Sequence, residues 1–173
     1  SGPTVAEAGA GWTHDQLTPP QRDFLASLPL TATVGDAFLV HASAEDPPAW
    51  VYVNQPVRAQ RSLEAACAQP GIRHVFGGHV HEQRLWFAGR LGDLMPFTPT
   101  AAAPITLSGH RRWLATIGSV GQPRDGDCRA GYALWDTSGA SPRLTFHRVP
   151  YDHVAAAEAV ARTGLPAAYA MRL

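Results

Sequence analysis

The segment His74-Val75-Phe76-Gly77-Gly78-His79-Val80-His81 is a short apolar run that passes into two glycines and two histidines. We interpret the apolar run as a strand. In an extended segment, side chains two residues apart point to the same side, so His79 and His81 are expected to share a face. Two imidazoles on one face can bind one metal ion or one ion each of a close pair. The alternative is a pair of surface histidines in a loop.

A second histidine stands at the end of another strand. Thr31–Val34 and Ala37–Val40 flank Gly35-Asp36, which is a two-residue hairpin signal. The second strand is wholly apolar, so we expect it to be buried on both faces, and it stops at His41. A lone histidine there is more often a core or capping residue. Two strand-end histidine sites together favour a metal site, because histidine is the commonest metal ligand.

The remaining five histidines have no comparable context, and we expect structural roles for them. They are His14, His74, His110, His147 and His153.

A third strand end carries hydrogen-bond donors. Leu114–Ile117 is strand-like and runs into the glycine-rich loop Gly118–Asp127, which contains Ser119, Gln122 and Arg124. A guanidinium there can bind a phosphate through two parallel hydrogen bonds, and backbone N–H groups of such a turn can surround an anion. The alternative is a structural corner in which Arg124 pairs with Asp125 or Asp127.

The rest of the chain predicts an α/β domain in which strands outnumber helices and several strands end in glycine-rich or histidine-bearing loops. Between the strand ends, the segment Gly92–Ala103 is rich in proline and threonine and is predicted to be a loop. Helices are predicted at about Thr18–Leu28, within Pro56–Ala68, and at His153–Thr163; further strands are predicted at Leu85–Phe87, Ala130–Trp135 and Leu144–Val149.

Composition limits the classes of function. Of 173 residues, 45% are apolar and 16% are charged, which is typical of a globular protein. Fourteen arginines balance fourteen acidic residues, so a broad nucleic-acid or membrane footprint is not expected. Cys67 and Cys128 form no Cys-x-x-Cys pair, which favours a reducing, cytoplasmic setting. The segment Ser1–Thr4 does not resemble a signal peptide, and we expect a trimmed or processed end.

Three ordered blocks carry a resemblance to a known family. They are Leu39-Val40-His41-Ala42-Ser43, Gly78-His79-Val80-His81 and Gly118–Asp127. In this order they resemble the C-terminal portion of the calcineurin-like metallophosphoesterases, and most closely the bacterial phosphodiesterases related to diadenosine-tetraphosphate hydrolases. Departures from the family pattern are Ala42 for glycine, Val80 for threonine and Thr116-Ile117 for Asn-Pro.

The resemblance implies an α/β fold, part of a four-layer αββα sandwich whose N-terminal half is absent from this chain. Residues 1–173 would then form a single, incomplete domain. It further implies two divalent ions (Mn, Fe, Zn, Co or Ni), with His41 and His79 on one and His81 on the other. Ser119, Gln122 and Arg124 would contact the substrate, a phosphate-ester small molecule or nucleotide. No catalytic residue is assigned, because the family's carboxylate blocks are missing here.

The leading hypothesis is therefore a metal-dependent phosphodiesterase or nucleotide-type phosphatase that is inactive as this isolated chain. An N-terminal half, or a second copy of the chain, would cover an exposed sheet edge. Two alternatives remain: a mononuclear hydrolase with three histidine ligands, and a non-catalytic binding module built on the same scaffold.

Overall fold

The computed structural model describes residues 5–88 and 93–173, so Ser1–Thr4 and residues 89–92 lie outside it. The chain divides into two compact units. The smaller combines Ser1–Pro29 with Asp152–Leu173, and the larger is Leu30–Tyr151. The predicted single domain over residues 1–173 stays a prediction.

In the larger unit the strands are β1 (Thr31–Val34), β2 (Ala37–Val40), β3 (His74–Gly77), β4 (Gln83–Ala88), β5 (Leu94–Phe97), β6 (Pro104–Thr106), β7 (Trp113–Ile117), β8 (Ala130–Asp136) and β9 (Arg143–Val149). Its helical elements are a 3-10 turn at Pro47–Ala49 and a helix at Pro56–Cys67, which is α3 of the chain. Pro56 suits the first turn of α3, because proline fixes a helical φ and lacks an N–H that would be unbonded there.

The strands form two sheets. The first has the order β1-β2-β3-β7-β4-β5, and the second has the order β6-β9-β8. In the first sheet, β2, β3 and β7 are parallel neighbours, while all other pairings in both sheets are antiparallel. Parallel strands end at the same edge of a sheet. The loops that follow Val40, Gly77 and Ile117 therefore emerge side by side.

The core explains how the layers pack. One apolar cluster joins α3, through Leu63 and Ala66, to the first sheet, through Val75 and Leu114. A second cluster joins the opposite face of that sheet to the second sheet, where Phe146 is fully buried. The larger unit thus has three layers, helix on sheet on sheet. The fourth layer of the predicted sandwich stays a prediction.

The smaller unit contains the helices α1 (Val5–Gln16), α2 (Pro19–Ser27) and α4 (His153–Ala161), and a 3-10 turn at Ala170–Arg172. At the start of α2, Gln21 Oε1 accepts hydrogen bonds from Thr18 N at 2.8 Å and Thr18 Oγ1 at 3.0 Å. Asp152 caps α4 by accepting from Ala155 N at 2.8 Å. The large apolar side chains at and just after α2 (Phe24, Leu25 and Leu28) are exposed. In the described ranges, no helix has the length and apolarity that a bilayer span requires.

One sequence expectation about secondary structure is wrong, and one helix lies where the sequence analysis predicted none. The predicted loop Gly92–Ala103 contains β5 in its described part, and β6 follows directly. Both are edge strands with a proline, Pro96 and Pro104, and proline is tolerated in a strand at the edge of a sheet. Helix α1 was not predicted, because five of its twelve residues are alanine or glycine and its large apolar residues form no stripe.

Candidate metal centre

The first sheet brings the two histidine-bearing loops together at one edge. His41 follows β2 directly, and Gly78-His79 follows β3. The backbones there lie close: Gly78 N donates to His41 O at 2.9 Å, and a Cβ at Gly77 would lie 3.2 Å from Val40 O. Glycine at position 77 allows this approach, which places His79 next to His41.

The His41 and His79 rings meet edge to face, and one nitrogen of each ring lies close enough to the other for both to bind one metal ion. His41 Nε2 lies 3.2 Å from His79 Nδ1, and the ring centroids are 5.1 Å apart. With metal–nitrogen distances of about 2.0–2.1 Å, that separation corresponds to an N–metal–N angle of about 100–105°, close to tetrahedral. Without a metal, the same two atoms are at hydrogen-bond distance. The pair therefore suits a single ion between the two rings.

His81 is held separately. Its Nδ1 lies 2.6 Å from the carbonyl oxygen of Gln122, so Nδ1 carries a proton and donates, which makes Nε2 the nitrogen that can bind a metal ion. Arg124 N donates back to His81 O at 3.2 Å. Across residues 5–88 and 93–173, no group of three or more His, Cys, Asp or Glu residues is placed to hold one ion. The metal-ligand role of the three histidines stays a prediction.

Electrostatics keep the paired imidazoles neutral. Burial lowers the pKa of His41, and the nearby His81 lowers it further. Burial also lowers the pKa of His79, aided by His41, Arg124 and His81 and opposed by a hydrogen bond with the Trp50 backbone. A histidine must be neutral to bind a metal ion, so both rings are in the binding form near neutral pH.

The backbone conformation at His79 and His81 is not the extended one that the sequence predicted. The segment Gly78–His81 is not a strand, and His79 and His81 have φ of 62° and 58°. The expectation that the two share a face of an extended segment is therefore wrong. Trp50 also has a positive φ, of 52°. Of the four non-glycine residues with positive φ in the described ranges, three therefore lie at this edge. Ala42 is not among them, which explains why a methyl group is tolerated there.

Two aromatic side chains surround the histidine pair, and the sequence interpretation missed both. The Trp50 ring lies 4.5 Å from His41 and 5.5 Å from His79, measured between centroids. Tyr52 stacks on His79 at 4.2 Å. Both keep large exposed fractions, 50% and 42%. The sequence signal that could have indicated them is the pair of aromatic residues Trp50-x-Tyr52, which follows the proline-rich loop after β2.

The donor-rich loop after β7 reaches the same edge. Gln122 uses its backbone carbonyl on His81, whereas Ser119 Oγ accepts from Gln122 N at 3.0 Å and shapes the turn. The Arg124 guanidinium is exposed and lies 5.4 Å from the centre of the Tyr52 ring. The alternative ion pairs of Arg124 are not observed, because Asp125 pairs with Arg148 and Asp127 with Arg129.

A buried network fixes this loop to the second sheet. Gln83, only 7% exposed, donates from Nε2 to His147 O at 3.0 Å and Tyr132 O at 3.3 Å. Its Oε1 accepts from Arg148 Nε at 2.9 Å, and Arg148 also binds Asp125 of the loop. The loop's position against His81 is thus set by contacts within the larger unit.

Comparisons with known proteins agree with this architecture. No family model matches the chain, and no curated protein matches it either. Among solved structures, it is similar to a metallophosphoesterase from Sphaerobacter thermophilus, with 31% identity, a TM-score of 0.81 and coverage of 94% of this chain. It also resembles a hypothetical protein from Pyrococcus horikoshii OT3 in fold, with 18% identity, a TM-score of 0.65 and coverage of 99%.

The chain spans 63% and 60% of the lengths of those two proteins. Over nearly its whole length, this chain has a metallophosphoesterase fold.

Proposed function

We propose that this chain is the histidine-bearing part of a metal-dependent phosphodiesterase or nucleotide-type phosphatase with a dinuclear metal centre. The observation that carries the proposal is the 3.2 Å approach of His41 Nε2 to His79 Nδ1 at the ends of parallel strands. The 31% identity to a metallophosphoesterase supports it. The finer assignment to the diadenosine-tetraphosphate-hydrolase-like group is part of the same proposal.

In this proposal His41 and His79 would hold one divalent ion through Nε2 and Nδ1. His81 would offer Nε2 to a second ion, because its Nδ1–H is engaged by Gln122 O. The bound ions, of Mn, Fe, Zn, Co or Ni, would supply Lewis acidity and a hydroxide nucleophile. Arg124 has no carboxylate partner among the described residues, so its guanidinium is available to a phosphate oxygen. Ser119 and Gln122 shape the loop that carries Arg124.

The chain by itself is expected to be inactive. Neutral imidazoles provide no negative charge to offset two divalent ions held close together. The proposal therefore requires carboxylates from a further segment or partner. Such a segment could pair with β8, which is an edge strand of the second sheet and whose Leu134 side chain is 55% exposed. A second copy of the chain could pair there instead.

The test is metal stoichiometry together with turnover. We expect the 173-residue chain to bind at most one Mn²⁺ or Co²⁺ ion per molecule, weakly, and not to hydrolyse bis-p-nitrophenyl phosphate. His41→Ala and His79→Ala should each weaken binding by about tenfold or more. His14→Ala, which changes an exposed histidine on α1, is the matched control and should have no effect.

A longer form of the protein that completes the site should bind two ions and hydrolyse the ester. A single ion in an active, completed protein would support the mononuclear alternative. Two ions without turnover on any phosphate ester would support the binding-module alternative. Two tightly bound ions with robust turnover in the isolated chain would show that no further segment or partner is needed.

A further inference from the structure

A cavity lies at the end of the parallel strands opposite to His41 and His79. Its volume is about 360 Å³, and its lining includes Cys67, Arg73, His110, Arg111 and Arg112. Strands β3 and β7 begin directly after Arg73 and Arg112 and run from the cavity toward the histidine edge. At about 3.3 Å per residue, four or five strand residues separate the two sites by about 15 Å. The cavity is therefore a distinct site.

The cavity is positively charged without compensation. Among the described residues, three arginines and a histidine line it, and no carboxylate does. In the described part of the chain, none of the three guanidiniums takes part in an ion pair. The cavity beside Gln83, of about 450 Å³, is different. There, each arginine has a carboxylate partner: Arg84 with Glu82, Arg129 with Asp127, and Arg148 with Asp125.

Neutral contacts hold two of the three guanidiniums in place. Arg73 Nη1 donates to Gly109 O, while Arg73 O accepts from Trp113 N at 3.0 Å. The guanidinium of Arg111 lies 5.4 Å from the centre of the Phe87 ring. A carbonyl and an aromatic face orient a cation without cancelling its charge. Two of the three cations are thus held by contacts that leave their charge uncompensated, and an anion bound in the cavity would offset the repulsion among the arginines that line it.

We propose that this cavity binds the phosphate or pyrophosphate group of a small molecule. Planar guanidiniums match phosphate oxygens through paired hydrogen bonds. The volume is at the low end of ligand-binding cavities, which suits a compact anion. A nucleic acid is disfavoured, because the chain has equal numbers of basic and acidic residues. The site does not depend on the phosphoesterase proposal, since no histidine of the metal centre takes part.

Cys67 provides a reporter inside the cavity. Burial raises the pKa of its thiol, and the charge of Arg112 opposes that shift. An anion on Arg112 removes the opposing charge and shields the sulfur, so it should slow the reaction of Cys67 with a thiol reagent. Cys128→Ser supplies a background in which Cys67 is the single cysteine. A chelator in the buffer removes metal ions, so that the histidine edge does not bind phosphate through them.

The experiment measures Cys67 labelling rates and calorimetric binding with inorganic phosphate, pyrophosphate and phenyl phosphate at constant ionic strength. Saturable protection with Kd of about 1 mM or tighter is expected for at least one probe. Stronger binding of phenyl phosphate than of phosphate points to an esterified ligand, and the reverse order points to the free anion. Arg112→Gln should weaken binding by about tenfold or more. Arg58→Gln, an exposed arginine on α3 away from the cavity, should not.

Three results would overturn the site: no saturable binding by any probe, equal weakening by Arg58→Gln, or unchanged binding by Arg112→Gln. Circular dichroism confirms that the variants are folded. Arg112 is exposed and bonds to no other side chain in the described residues, so its substitution leaves the fold intact. Arg73→Gln is a second variant whose folding is checked in the same way.

Discussion

The Gln83 side chain joins three parts of the larger unit, and replacing it should be costly. Gln83→Leu keeps most of the volume but removes the amide. Two carbonyl oxygens, of Tyr132 and His147, then lose a donor, and Arg148 Nε loses its acceptor at a position where the arginine side chain is only 9% exposed. Arg148 keeps Asp125, so its charge is not left unpaired.

The expected loss in the free energy of unfolding is about 2–4 kcal/mol. A buried group that loses its partner costs about 1–3 kcal/mol, and the charged arginine is at the upper end, whereas the partly accessible Tyr132 carbonyl is at the lower end. For a chain of this size, each kcal/mol corresponds to a fall in Tm of about 2–4 °C. Urea unfolding followed by fluorescence and circular dichroism measures the change.

Gln55→Leu is the matched control, because it makes the same chemical change at an exposed residue whose side chain makes no capping hydrogen bond. The double variant Gln83→Leu with Arg148→Met tests the coupling. Its loss should be smaller than the sum of the two single losses, since neither partner is left alone. A loss below about 0.5 kcal/mol for Gln83→Leu, typical of surface changes, would refute the stabilising role of the network.

Two further predictions concern pH and backbone conformation. Burial lowers the pKa of His74, although Asp36 opposes that shift, so the folded state binds the proton less tightly than the unfolded state does. The free energy of unfolding should therefore keep its full value above about pH 6.5 and fall as the pH drops below it. Urea titrations of His74→Gln should show a shallower fall, and an identical fall would exclude His74 as its source. Gly118→Ala should cost about 1–3 kcal/mol, because φ is +101° and the new Cβ would lie 2.9 Å from Gln83 Cγ. Gly139→Ala, with an ordinary φ and a nearest contact of 3.7 Å, should cost little, and equal losses at the two glycines would contradict the strain.

Strong local signals made much of the fold predictable. The hairpin of β1 and β2 lies where Gly35-Asp36 indicated, and α3 begins at Pro56 within the predicted range. Strands β8 and β9 differ from expectation by one residue at an end. These segments combine apolar runs with clear turn residues, so local preference and packing agree. The edge strands β5 and β6 had no such agreement, because their prolines contradict the strand pattern.

The site was predictable in its parts but not in its arrangement. Strand-end position identified His41 and His79 as neighbours, since parallel strands end together. The left-handed conformation of His79 and His81 could not be foreseen, because a positive φ is uncommon for any residue other than glycine. Trp50 and Tyr52 were missed for a related reason: contacts between a loop and a strand end separated by about thirty residues leave no periodic pattern in the sequence.

The left-handed backbone at His79 and His81 sets stability against the proposed metal site in this loop. Glycine would relax the backbone at both positions, whereas histidine holds it in a region that costs non-glycine residues of order 1 kcal/mol or more. Selection of variants for thermal stability alone would therefore favour glycine at positions 79 and 81 and remove both imidazoles. Thermostabilisation of this scaffold has to hold those two positions constant and seek its gains in the α3 layer and the sheet edges.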